Sequence, residues 1–222
     1  MTDVTPLLLL WGTLVGVDLV SVSQIMIARP VVAGTVAGLI LGDPMAGGTV
    51  GVILELFALD MLPVGASRYP DYGLGAVAAA ATAAGAPGVL GTGVAVLVGL
   101  VIAALGGSAM QWVRRANGAD VSRSLPALAA GQRRALAALQ VRGILRDAGR
   151  AFVLTALGLV LAALAARWPL VGLRGAVMLT VVAVGAALGI AAAGAMRLAG
   201  RGFDLRWFVL GLLAGAGWVA LP

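Results

Sequence analysis

The 222-residue chain contains no cysteine and no histidine, and every one of its basic residues is an arginine. Without thiols or imidazoles, disulfides, thiolate or imidazole metal sites, histidine general bases and phosphohistidine or phosphocysteine intermediates are all excluded. Charge is scarce as well: only 11% of residues are charged, and a single glutamate, Glu55, stands among the nine acids. A soluble domain of this length needs a charged exterior several times richer. What fills the chain instead is apolar, with 61% hydrophobic residues and a mean hydropathy of +1.07. Lipid is therefore expected to cover much of the surface. No metal or organic cofactor is indicated, and no soluble catalytic domain. Met1-Thr2-Asp3 carries no basic run, and the apolar stretch from Leu7 lacks a matched cleavage pattern, so it reads as a retained membrane segment.

The isoelectric point of 11.4 raises the question of nucleic acid. Eight arginines fall between Arg114 and Arg150, but arginine clusters beside apolar spans follow the positive-inside rule, and no nucleic-acid partner is expected. Gly88 to Trp112 is long enough to cross a hydrocarbon core of about 30 Å at about 1.5 Å per residue. Ala151 to Ala166, Gly175 to Met196 and Trp207 to Leu221 also read as spans, the first and last of them short. With residues 113–150 taken as an Arg-rich cytoplasmic loop, Arg167 and Arg174 fall outside while Arg197, Arg201 and Arg206 return inside, eleven arginines against two. Arg29 and Arg68 stay unplaced. Within the loop, Leu128, Leu136, Leu139, Ile144 and Leu145 alternate with Arg133, Arg134, Arg142 and Arg146, which predicts an amphipathic helix meeting anionic lipid or a partner.

Residues 1–112 form a different kind of membrane region. Val31 to Leu41 and Thr49 to Leu59 are apolar runs of eleven residues each, and eleven helical residues cover only about 16 Å. Neither crosses alone, so residues 31–59 are predicted to form a re-entrant hairpin or two half-helices, an arrangement that commonly holds transported solutes. Gly34, Gly38 and Gly42 recur at four-residue spacing and offer a smooth face to another helix. Directly before Pro44, Asp43 is expected to cap the second arm. The fold class is thus an all-α polytopic membrane protein, with spanning helices plus a broken or re-entrant helical hairpin in the N-terminal half; residues 151–222 supply the C-terminal membrane helices.

Glu55 lies inside the apolar run Val52-Ile53-Leu54-Glu55-Leu56-Phe57. An intramembrane carboxylate costs at least about 2.5 kcal/mol, so it should face the protein interior and accept hydrogen bonds from a solute, a partner subunit or an arginine. Asp60, Pro63-Val64-Gly65-Ala66 and Ser67-Arg68-Tyr69-Pro70-Asp71-Tyr72 follow closely, a density of polar and turn residues that suggests a lined pathway. Upstream, Asp18 and Ser21-Val22-Ser23-Gln24 supply carboxylate, hydroxyl and amide groups of the kind that read sugar hydroxyls.

Taken in order and spacing, Gln24, Arg29-Pro30, Gly34, Gly38, Gly42-Asp43, Gly51, Leu54-Glu55-Leu56, Val64-Gly65-Ala66 and Pro70-Asp71 resemble the IIC subunit of the mannose/fructose/sorbose phosphotransferase (PTS) permeases. The resemblance covers roughly the first 85 residues. It implies a multi-pass subunit of the bacterial inner (cytoplasmic) membrane that conducts a hexose within an oligomeric complex. It further implies a IID membrane partner and IIB and IIA phosphocarriers, so that this chain would be a transport subunit and not an enzyme. On that basis Glu55, Gln24 and Asp71 would contact the sugar, while Asp43, Gly42, Arg29, Pro30 and Gly65 would shape the turn and pathway. Asp60 and Ser67-Arg68-Tyr69 depart from the family pattern, which leaves the sugar open. A membrane scaffold, a degenerate regulatory PTS member and a solute carrier unrelated to phosphotransfer are the competing readings.

Overall fold

The computed structural model describes residues 4–22, 24–61, 67–85, 88–167, 172–198, 206–207, 209–211 and 213–214. Seven helices order the described chain: α1 (Thr5–Asp18), α2 (Pro30–Leu41), α3 (Pro44–Ala58), α4 (Tyr72–Gly85), α5 (Val89–Ala129), α6 (Arg133–Arg167) and α7 (Leu173–Leu198). Three segments are long and apolar enough to cross a membrane, Gly91–Ala129, Arg133–Arg167 and Leu173–Arg197, and the other four helices are shorter. The predicted segment Trp207 to Leu221 lies largely outside the described residues, as does Gly65.

The hairpin expected at residues 31–59 is present and tightly made. Proline opens both arms, where its missing N–H and preset φ cost nothing. Gly42, at φ +82°, ends α2 in the left-handed conformation that glycine adopts without strain. The Asp43 carboxylate accepts the Ala46 N–H at 2.9 Å and caps α3. The second arm therefore begins at Pro44 rather than at Thr49: the glycines that look like turn residues are helical, and they let the arms touch. A Cβ on Gly34 would lie 2.7 Å from the Gly47 carbonyl oxygen, and one on Gly51 would lie 2.7 Å from that of Pro30. Backbone meets backbone along this seam, as small residues permit in a membrane.

Tyr72–Gly85 is the central helix, a segment to which the sequence reading assigned no element of its own. Residues Gly73 through Ala83 are all buried, and a helix enclosed on every side has no polar stripe to reveal its period. Around α4 pack α2, α3, α5 and α6. The apolar core joins Leu8 and Val15 of α1, Leu54 and Phe57 of α3, Leu74 and Val77 of α4, Val96 and Ile102 of α5 and Leu154 of α6.

The segment 113–150, read from sequence as an Arg-rich loop carrying an amphipathic helix, is helical on both sides of a short break. α5 does not stop at Trp112 but runs on to Ala129, and α6 starts at Arg133 after a break in which Gly131 takes φ +71°. At 41 residues, α5 extends about 61 Å, twice the hydrocarbon thickness. Alanine, leucine and arginine are strong helix formers, so nothing local ends the helix when the apolar run does. Arg146 on α6 ties the two arms, donating to the Asn117 side chain at 2.9 Å and to the Asp120 carboxylate at 2.7 Å.

Tertiary contacts also place the two arginines that the sequence left unassigned. Arg68 donates to Ser108 on α5, and Arg114 reaches back to the Ser67 carbonyl and the Tyr69 hydroxyl, so the 67–69 segment lies at the level where α5 leaves its apolar run. Arg29 precedes α2 and pairs with Glu55 near the end of α3. Arg197, near the end of α7, pairs with Asp60 just beyond α3. The open end of the α2–α3 hairpin, the end of α7 and the Arg-rich extension of α5 and α6 thus share one side, opposite the α6–α7 connection. Because the chain has no native cysteine, single cysteines report this without background. Of Gln132→Cys and Gly172→Cys, only one is expected to react with an impermeant maleimide in intact cells and the other only after permeabilisation; labelling of both in intact cells contradicts the arrangement.

Candidate functional site

Among the charged side chains at this shared level, two sets contain sequence candidates Glu55 and Asp71, and they are built differently. The first is at the mouth of the hairpin. Glu55 on α3 pairs with the Arg29 guanidinium, and its Oε2 accepts the Val31 N–H at 3.3 Å. The carboxylate thus satisfies a donor at the start of α2, where the helix dipole favours negative charge. Glu55 is 15% exposed and Arg29 51%. A carboxylate has about four lone-pair positions, so accepting capacity remains on Glu55 for a further donor.

Beside Arg29 opens a recess of about 210 Å³, lined by Asp18, Leu19, Gln24, Met26, Ala28 and Arg29. Its wall is the connection between α1 and α2. Gln24 and Met26 adopt φ +47° and +71°, the left-handed region that side-chain-bearing residues seldom occupy. Gln24 is exposed. The exposed Gln24 and the guanidinium of Arg29 line this opening, and Arg29 in turn pairs with the Glu55 carboxylate, which is not part of the lining. Such a mixture of donors and acceptors matches neutral polyhydroxylated solutes, which offer both roles at each hydroxyl.

The second set is sealed from solvent. Arg150 on α6 donates through Nη1 to Asp71 at 2.7 Å and through Nε to Asp147 at 2.8 Å, while Nη2 reaches the Gly16 carbonyl at 3.2 Å. The side chains are 3% exposed for Arg150 and 1% for each aspartate. Asp71 also caps α4 through the Leu74 N–H, and Ser21 donates to Asp147 at 2.5 Å. One arginine therefore joins α1, α4 and α6. Asp71 is accordingly separate from Gln24 and Glu55: one oxygen is engaged by Leu74, the other by Arg150, and the side chain is enclosed.

The remaining sequence candidates fall into place around these sets. Pro30 is the first residue of α2, next to Arg29. Gly42 and Asp43 form the hairpin tip, about 18 Å along the 12-residue helix from Arg29. Sequence reasoning missed the partnership of Asp147 and Arg150. Their i, i+3 spacing was a visible signal, but it lay in a segment taken for a loop, and the third member, Asp71, is 79 residues away. Among the described residues no group of acidic side chains is arranged to hold a metal ion.

Comparison with known proteins gives a consistent picture. The family model for the sorbose-specific IIC component of the PTS system matches residues 5–211. The sorbose-specific EIIC component of Lacticaseibacillus casei is 40% identical over 68 residues, 31% of this chain and 24% of that protein. That of Klebsiella pneumoniae is 48% identical over 52 residues, 23% of this chain and 20% of its own. The fructose permease IIC component of Bacillus subtilis (strain 168) is 40% identical over 75 residues, 34% and 28% of the two chains. The aligned stretches thus span between 20% and 28% of those relatives' lengths. Among solved structures, a membrane protein superposes with a TM-score of 0.81 at 20% identity, covering 97% of this chain and 87% of the other. A chain from the complex of the mannose transporter ManYZ with microcin E492 gives 0.64 at 21% identity, with coverage of 97% and 87%. At these identities the likeness establishes the fold.

Proposed function

Because the chain belongs to the sorbose-specific IIC family of the phosphotransferase system, we propose that it is a sugar-conducting membrane subunit, passing a hexose that separate subunits phosphorylate on entry. The observation that carries this reading is the 210 Å³ recess at the hairpin mouth, lined by Gln24 and Arg29, with Glu55 paired to Arg29 at its edge. On this reading the carboxylate of Glu55 accepts from sugar hydroxyls and Gln24 supplies both a donor and an acceptor. Arg29 pairs with Glu55 and exchanges part of that pairing for the sugar. Asp71 contributes from the buried set, by holding the start of α4 beneath the site. Phosphate chemistry falls to IIB and IIA phosphocarriers, since a chain without histidine or cysteine has neither of the side chains that carry a labile phosphoryl group in such relays. A IID subunit completes the membrane complex, and the Arg-rich side faces the cytoplasm of a bacterial inner membrane.

The test is co-expression with candidate IID, IIB and IIA partners in cells lacking other hexose uptake. Labelled sorbose, fructose or mannose should accumulate as sugar phosphate, and omission of IIB should abolish it. Free sugar accumulating without IIB would favour a carrier unrelated to phosphotransfer. Complex assembly with no flux of any of the three sugars would favour a scaffold or a degenerate member. Within an active complex, Glu55→Gln should raise the sugar concentration for half-maximal uptake about tenfold, because a hydrogen bond to a charged acceptor contributes about 1.5–3 kcal/mol. Folding should survive: Arg29, 51% exposed, can turn to solvent when its partner becomes neutral, and the glutamine oxygen still accepts the Val31 N–H. Unchanged uptake by Glu55→Gln would remove Glu55 from the site.

A further inference from the structure

The described residues of the α1–α2 connection, 19–22 and 24–29, form no helix, yet they carry two of the three groups assigned to the sugar site. Asp18, the last residue of α1, lies beneath them. Its Oδ1 accepts the Ile25 N–H at 2.8 Å and its Oδ2 accepts the Ala28 N–H at 3.2 Å. Those two amides bracket Met26 and directly follow Gln24 on one side and precede Arg29 on the other, so one carboxylate clamps the stretch between the two candidate ligands. Asp18 is 3% exposed at the floor of the recess, and each of its oxygens is engaged by a backbone amide. The left-handed backbone at Gln24 and Met26 is strained for residues with side chains and persists only where surrounding structure over-determines it. Two further tethers agree. Ser21 is held by Asp147 at 2.5 Å, and Ala28 rests directly on the first turn of α4, where a Cβ on Gly73 would stand 2.9 Å from Val15 and against the Ala28 carbonyl.

We infer that Asp18 is a positioning residue for the sugar site: its buried carboxylate holds the strained 24–28 backbone so that Gln24 and Arg29 are presented together to the recess. The inference rests on the sugar-site reading above for its functional half and on geometry alone for its structural half. A free-chain connection of this length samples many arrangements, and a ligand that must select one of them binds more weakly by the fraction populated. Loss of the clamp therefore acts on apparent affinity and leaves the subsequent translocation step largely unchanged.

Two measurements on the full chain in its membrane complex test this. In the wild type, the amides of Ile25 and Ala28 should exchange with deuterium at least tenfold more slowly than unstructured peptide, although Ile25 is 67% exposed; free exchange at both positions overturns the clamp without reference to transport. In Asp18→Asn, which keeps the size but replaces one acceptor by a donor, exchange across 19–29 should rise at least tenfold while α5 and α6 stay protected. The KM for labelled sorbose, fructose or mannose should then rise at least tenfold, with the maximal rate within threefold of wild type. A variant that loses protection in the connection yet keeps the wild-type KM overturns the positioning role. A wild-type complex that moves none of these sugars while Ile25 and Ala28 are protected refutes the sugar reading and leaves the clamp standing.

Discussion

Replacing Arg150 by alanine should destabilise the protein by about 3–5 kcal/mol, the cost of leaving buried charge without its partner. Arg150 is the only cation hydrogen-bonded to Asp71 and Asp147 among the described residues, and both carboxylates are 1% exposed. Its removal leaves two enclosed carboxylates facing each other across a vacated guanidinium, and each must either take up a proton or draw in water. The loss should appear in detergent as a fall in unfolding temperature and in the monodisperse fraction. Arg150→Lys should lie between, since an ammonium keeps the charge but not the planar fork that serves Asp71, Asp147 and the Gly16 carbonyl at once. Combining Arg150→Met with Asp71→Asn and Asp147→Asn should recover much of the deficit, because a partnered set replaced as a whole leaves no orphaned charge. Wild-type stability in Arg150→Ala would mean that the buried set is not what joins α1, α4 and α6.

Gly47→Ala should be the second most disruptive of the simple changes, at about 1–3 kcal/mol. Its Cβ would meet the Gly34 carbonyl oxygen and lie 2.7 Å from the Gly38 Cα. Both are backbone atoms of the facing arm, so no side chain can turn aside, and the arms must separate along their length. Separation also shifts Glu55 relative to Arg29, so uptake should fall together with stability. Gly185→Ala on α7 is the matched comparison: nothing lies within 4 Å of the added carbon, and an exposed helical glycine replaced by alanine should gain up to about 1 kcal/mol. If the two substitutions behave alike, close backbone approach is not what holds the hairpin.

Much of this was legible in the sequence because it depends on short-range chemistry. Prolines at 30 and 44, glycine at 42 and aspartate at 43 specify a hairpin in the order in which helix starts and stops are written, and α2 and α3 fall where those residues put them. Glu55 was conspicuous because an apolar run has no local use for a carboxylate, and it does find a partner. The Arg-rich segment was read as a loop with one helix in it, short of its full helical extent, for an equally physical reason. A change from apolar to charged composition marks where a helix leaves the membrane, not where it ends, and α5 continues through Arg114 and Arg115 to Ala129. The central α4 gave no signal because enclosure on all sides erases periodicity.

The sequence by itself determined that this is a helical membrane protein with a broken N-terminal hairpin, and it determined the hairpin's turn and the chemistry absent from the chain. Those follow from solvent preference, from backbone geometry at proline and glycine, and from which side chains are present at all. Only the tertiary structure decided which charges meet. Asp71, Asp147 and Arg150 come from two distant segments, Arg29 and Glu55 from opposite arms of one hairpin, and Asp18 reaches the 24–28 backbone through a connection with no regular pattern. In a low-dielectric interior a charge is tolerable only beside its partner, and a partner is defined by distance in space, which helix packing sets.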